Sequence, residues 1–133
     1  MSQQVSLVRL YLMRVLFLLN FALLGLDVWP ALISHSSPWD PVRGAAQSLW
    51  AALSLLSILG LRHPLQMLPL LLFQFTYKAI WLLLVALPQW AAFKGLGITQ
   101  AMAIGIVLDT VVIPWAYAYS TYIKKPGDRW RGA

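Results

Sequence analysis

Two ionisable residues sit where charge is most costly. Lys78 lies in the stretch Gln74-Phe75-Thr76-Tyr77-Lys78-Ala79-Ile80-Trp81, midway along an apolar run from Leu65 to Leu87. Asp109 lies in the last apolar run, Ile98 to Tyr119. A charge at the centre of a bilayer costs roughly 2.5–3.5 kcal/mol or more unless a partner or water meets it. From the helical rise, Lys78 is about 15 Å below Pro88 and Asp109 about 16 Å below Ile98. The two therefore fall at one depth on consecutive, antiparallel helices. Asn20, about 13 Å below Trp29, falls close to the same layer. Helical spacing puts Gln74, Tyr77 and Trp81 on the Lys78 side of their helix. Lys78, Asp109, Asn20, Gln74 and Tyr77 form the expected polar centre. Two roles are open to it: an ion pair that fixes helix register, or a mark of a ligand or proton path.

A second set lies in the loop from Ser34 to Arg43, where His35, Asp40 and Arg43 stand among serines near the headgroup level. Such residues can perform acid–base work on a lipid headgroup, with Asp27 near enough to join them or to meet Arg43. The same composition also describes an ordinary Ser/Pro loop. His35 and His63 fall on opposite membrane faces and the chain has no cysteine, so no metal site is expected. Gly95-Leu96-Gly97 lacks the setting of a phosphate-binding loop, and no cofactor is expected.

The elements that must carry these residues follow from composition. Of 133 residues, 60% are hydrophobic and 11% charged, with a mean hydropathy of +0.72. Soluble domains run near 45–50% apolar and 25% charged, and so short a chain cannot bury such an excess in one core. The first apolar run is too long for a signal peptide, contains Arg14 and has no cleavage site after it, so it is expected to be retained. The expected fold is an all-α, antiparallel four-helix transmembrane bundle, one domain over residues 1–133. Its helices fall at about 6–28, 44–61, 65–87 and 98–119. A β-barrel would need alternating polarity over about ten residues, which runs such as Leu68 to Phe73 contradict. Pro69 and Pro114 fall inside segments and are expected to bend them. Small residues recur every four positions at Gly97, Ala101 and Gly105 up to Asp109, and at Gly44, Ser48 and Ala52. Both stripes predict close helix contacts.

The net charge of +6 arises from bases that flank apolar runs, which favours anionic headgroups as partners over nucleic acid. Arg9, Arg14, Arg62, Lys124, Lys125, Arg129 and Arg131 fall on one side, against Arg43 and Lys94 on the other. That bias places both termini in the cytoplasm, in a bacterial inner membrane. Lys124, Lys125, Arg129 and Arg131 are the expected lipid-headgroup contacts. Trp29, Trp39 and Trp90 outside, and Tyr11, Tyr122 and Trp130 inside, read as interfacial anchors. Three functions remain open. The chain is a non-enzymatic accessory or apolar-ligand-binding membrane protein. Alternatively it is a small-molecule or proton-coupled transporter using Lys78 and Asp109, as a homo-oligomer or in a larger complex. The third is a lipid-active enzyme built on His35 and Asp40.

Overall fold

A computed structural model describes residues 5–34, 38–128 and 130, and these are helical with no strand among them. Five helices follow one another: α1 (Leu7–Ile33), α2 (Pro41–Arg62), α3 (Leu68–Phe93), α4 (Gly97–Val112) and α5 (Trp115–Lys124). The first three are long and apolar enough to cross a membrane, and α4 with α5 makes a fourth if that bent pair is one span. The outside is as apolar as the inside: Leu26, Leu84, Val42 and Ile123 are all at least 70% exposed. Water does not tolerate such a surface, whereas lipid tails do.

The helix ends have local causes. Ser6 caps α1, its Oγ accepting from the Arg9 N–H at 3.2 Å. Asp40 caps α2, its Oδ2 accepting from the Arg43 N–H at 2.9 Å, with Pro41 at the first helical position. The second helix therefore begins at Pro41, three residues before the expected Gly44. α1 runs on through Trp29-Pro30 to Ile33, past its expected end. Pro30 forfeits one backbone bond in the last turns, on a face where Leu26 is exposed. Pro69 does not bend α3. A turn over His63–Met67 delays the helix to Leu68, which leaves Pro69 in the first turn, where its missing N–H is harmless. At its other end α3 passes Pro88 and reaches Phe93.

Pro114 acts more strongly than a bend. It forces Ile113 into extended backbone and ends α4, and α5 leaves at 77°. α4 alone has 16 residues, about 24 Å against the roughly 30 Å of a bilayer core. The carbonyls left free at its end are all met. The Trp115 indole donates to Thr110 at 2.8 Å, and Arg9 Nη1 donates to both Val111 and Val112. Arg14 serves α2 likewise, its Nε donating to the Leu61 carbonyl at 2.9 Å. Two arginines of α1 thus sit on the negative ends of two neighbouring helices.

α1 is the central element, packed on α2 along most of its length and on α4, while α4 packs on α3; α2 and α3 touch only lightly. The α1–α2 seam uses Ala51, Ser54, Ser57 and Gly60, all buried. A Cβ at Gly60 would fall into the Phe17 ring, and one at Gly25 would lie 2.7 Å from Ser54 Oγ. The expected seam of Gly44, Ser48 and Ala52 is on another face: Trp39 covers Gly44, and Ser48 and Ala52 are exposed. An apolar core of Met13, Leu16, Phe17, Leu68, Leu71, Val112, Ile113 and Ala118 fills the end at which α1 begins and α4 stops.

Candidate functional site

Above that core lies a continuous polar layer. Asn20 Nδ2 donates to Gln74 Oε1 at 2.6 Å, and Gln74 Nε2 donates to Asp109 Oδ1 at 2.5 Å. Lys78 Nζ meets Asp109 Oδ2 at 3.1 Å as hydrogen bond and ion pair. Gln74 and Lys78 are four apart on α3, so their side chains stack on one face and clasp the two oxygens of a single carboxylate. Asp109 and Gln74 have no exposure, whereas the Lys78 side chain keeps 12%. Gly105, one turn before Asp109, makes room for the lysine stem: a Cβ there would lie 2.7 Å from Nζ and 2.9 Å from Cε.

Two irregular turns flank the layer. α1 widens to a π turn over Asn20–Leu24 and α3 over Trp81–Ala86, just past Lys78. Such turns displace side chains from regular helical positions and recur at functional sites. The Phe21 carbonyl in the first accepts from Ser54 Oγ of α2 at 3.0 Å.

On the side away from the apolar core the layer opens into a cavity of about 400 Å³. Its walls are Asn20, Leu24 and Asp27 of α1, Trp50 and Leu53 of α2, Tyr77 and Lys78 of α3, and Gly97, Ile98, Ala101 and Met102 of α4. The stripe Gly97–Ala101–Gly105 is thus the cavity wall and the lysine slot, where a tight helix seam was expected. A second cavity of about 280 Å³ lies between α2 and α3, lined by Leu49, Phe73, Ile80, Trp81 and Val85 among others. The two share Trp50, Tyr77 and Met102 as a common wall.

The structure brings Lys78, Asp109, Gln74 and Asn20 into one bonded chain. Tyr77 stands beside it without bonding the pair; its ring centroid is 5.9 Å from Lys78 Nζ, at the edge of cation–π range. The loop residues are not assembled in this way. Asp40 is engaged as the α2 cap, Arg43 is exposed in the first turn, and His35 lies outside the described residues. Asp27 is exposed at the cavity rim, away from that loop cap. Lys124 and Lys125 are exposed at the end of α5, and Arg129 and Arg131 lie outside the described residues. Trp50, Met102 and Ser54 were not legible as site residues, because nothing in the sequence separates them from ordinary apolar-segment residues. Gly105 was visible in its stripe, with a different role. No known protein family, no curated protein and no solved structure matches this chain; the cavity and the Lys78–Asp109 pair at its floor are the features that bear on function.

Proposed function

We propose that the chain is a small polytopic membrane protein, non-enzymatic, that binds an apolar small molecule between its helices over the Lys78–Asp109 centre. The observation that carries this reading is that Lys78, paired on one side, lines an open cavity on the other. A pair serving register alone gains nothing from an adjoining void of about 400 Å³, which falls within the roughly 300–1,000 Å³ of ligand sites. Conduction is less well supported, since Met13, Leu16, Phe17, Leu71 and Ile113 fill the space beyond the polar layer. Lipid chemistry at the loop is less well supported too, because Asp40 is spent on a helix cap.

In this reading the four apolar segments form one antiparallel transmembrane bundle, with both termini in the cytoplasm of a bacterium and Lys124 and Lys125 at the anionic headgroups. The basic bias toward one side supports the orientation, and the aromatic residues of α5, turned 77° from α4, support an interfacial position for that helix.

Reductive methylation tests the reading, since formaldehyde and a borane reach any hydrated amine. Lys78 of the detergent-solubilised protein is expected to gain methyl groups, and Ala101→Trp, which fills the cavity, to block them. A Lys78 still unmodified after Lys94, Lys124 and Lys125 have reacted to completion would mean a sealed, purely structural pair.

A further inference from the structure

The chemistry of the cavity floor narrows the ligand class, taking the binding reading above as given. We infer that the site takes an uncharged molecule with a carbonyl oxygen on an aromatic or chain-like apolar body, and that it arrives from the bilayer between α2 and α3.

The charge balance selects the head. Lys78 and Asp109 neutralise each other at 3.1 Å, so the floor has hydrogen-bond donors and no net charge. An ammonium has three N–H donors. Among the described residues Asp109 is its one hydrogen-bond partner, which leaves two for the cavity. Asp109 is also held by Gln74, whose own carbonyl is taken by Asn20, so the carboxylate is not free to swing away. A carboxylate or phosphate placed on Lys78 would leave one uncompensated negative charge in a site that holds Asp109 already, a state that membrane interiors strongly disfavour. A neutral carbonyl accepts the same two donors without that penalty. Asp27, exposed at the cavity rim, further opposes an anion entering there.

The walls select the body and the route. The second cavity continues the first through Trp50, Tyr77 and Met102, and its lining is wholly apolar but for the Tyr77 hydroxyl and the Trp50 and Trp81 indoles. It lies where α2 and α3 barely touch, and Leu49 and Ile80 at its rim are 60% and 52% exposed, facing the lipid in the membrane reading. A molecule with its carbonyl on Lys78 would run its body past Trp50 and Tyr77 toward the acyl chains. Aromatic walls suit a ring by stacking or edge contact.

Photolabelling tests this with 4-decylbenzophenone, a neutral diaryl ketone whose carbonyl both accepts hydrogen bonds and crosslinks on irradiation. The full chain in phosphatidylcholine nanodiscs is irradiated with the probe, and labelled peptides are located by mass spectrometry. Labels are expected on the peptides containing Tyr77 or Met102. 2-Dodecanone should compete about tenfold more strongly than dodecane or dodecanoate, the worth of one hydrogen bond from a charged donor. Lys78→Met alone can fail by destabilising the fold, so the folded double change Lys78→Met/Asp109→Leu is the variant that must lose the ketone preference while still accepting dodecane. Competition by dodecane or dodecanoate equal to that of 2-dodecanone overturns the ligand class and leaves the binding reading standing. Labels confined to residues outside the two cavities overturn the route. No saturable labelling or competition by any of the probes overturns the binding reading itself.

Discussion

The two ends of this helical molecule are built from the same residue types and packed in opposite ways. Toward the end where α1 begins, Phe17 lies on Gly60, Leu68 and Leu71 meet Met13 and Ile113, and Arg9 and Arg14 close the ends of α4 and α2. Toward the other end, α1 and α3 each widen into a π turn, Gly97 of α4 faces empty space, and a cavity of about 400 Å³ remains. What distinguishes them is the partner of each small residue: a ring at Gly60, a lysine stem at Gly105, nothing within 4 Å at Gly97. A small side chain in a membrane helix can thus close a seam or keep a cavity open, and the facing helix decides which.

The largest effect that tests this contrast belongs to the border between the halves. Lys78→Met leaves Asp109 buried and unpaired, and Asp109→Leu strands Lys78 and the Gln74 amide. Breaking one side of such a pair costs about 3–5 kcal/mol where nothing relaxes. Unfolding titrations in mixed micelles should show both single losses, with the double change Lys78→Met/Asp109→Leu regaining most of the stability. Simple addition of the two losses would show that the residues are not coupled. Because Lys78 adjoins the cavity and Asp109 has no exposure, Asp109→Leu should be the milder of the two singles.

Next in size is overpacking of the closed half. Gly60→Ala drives a methyl into the Phe17 ring, for which about 1–3 kcal/mol is the usual range. The thermal unfolding midpoint should move clearly downward, and an unchanged midpoint would mean that the α1–α2 seam is loosely packed. Arg9→Gln removes a charged donor from the two terminal carbonyls of α4. With Arg9 partly exposed, about 1 kcal/mol is expected from the lost bonds and the helix-end charge. Hydrogen exchange of the amides around Ile113 should speed up relative to those of α2. Smallest is Gly97→Ala in the open half: with no neighbour to strike, it should be neutral or stabilise by up to about 1 kcal/mol through helix propensity. A marked loss there would mean that the cavity wall is in fact a packed seam.

The sequence carried the polar layer further than the packing around it. Lys78, Asp109 and Asn20 were legible because a charge in an apolar run is rare and its depth follows from the helical rise. Gln74 followed from i,i+4 spacing. The all-helical class and three long apolar helices were likewise legible from composition and run length, whereas the fourth segment is a pair bent by 77°. The faces of α2 were not, since Gly44–Ser48–Ala52 and Ala51–Ser54–Ser57–Gly60 are equally good small-residue stripes and only Phe17 and Ser54 of the assembled pair choose between them. Nor was the severity of the Pro114 break, which depends on Arg9 and Trp115 being present to satisfy carbonyls that an unbroken helix would have paired. Arg9 and Arg14 read as topology signals alone, and their second task requires knowing where two distant helices stop. The π turns have no sequence mark of their own.

The layer of Lys78 and Asp109 is open on one side and sealed on the other. The chain has no cysteine, so single cysteines report without background. Ala101→Cys, in the cavity wall, and Leu71→Cys, in the apolar core, differ in surroundings while both lie in apolar helices. Their rates of reaction with a small methanethiosulfonate in lipid nanodiscs report on the two sides of the layer separately. An open cavity and a sealed core predict that Ala101→Cys reacts readily and that Leu71→Cys does not react until the protein is unfolded. Equal protection of both would contradict that prediction by showing a closed structural bundle, and equal reactivity would contradict it by showing a path through the whole molecule.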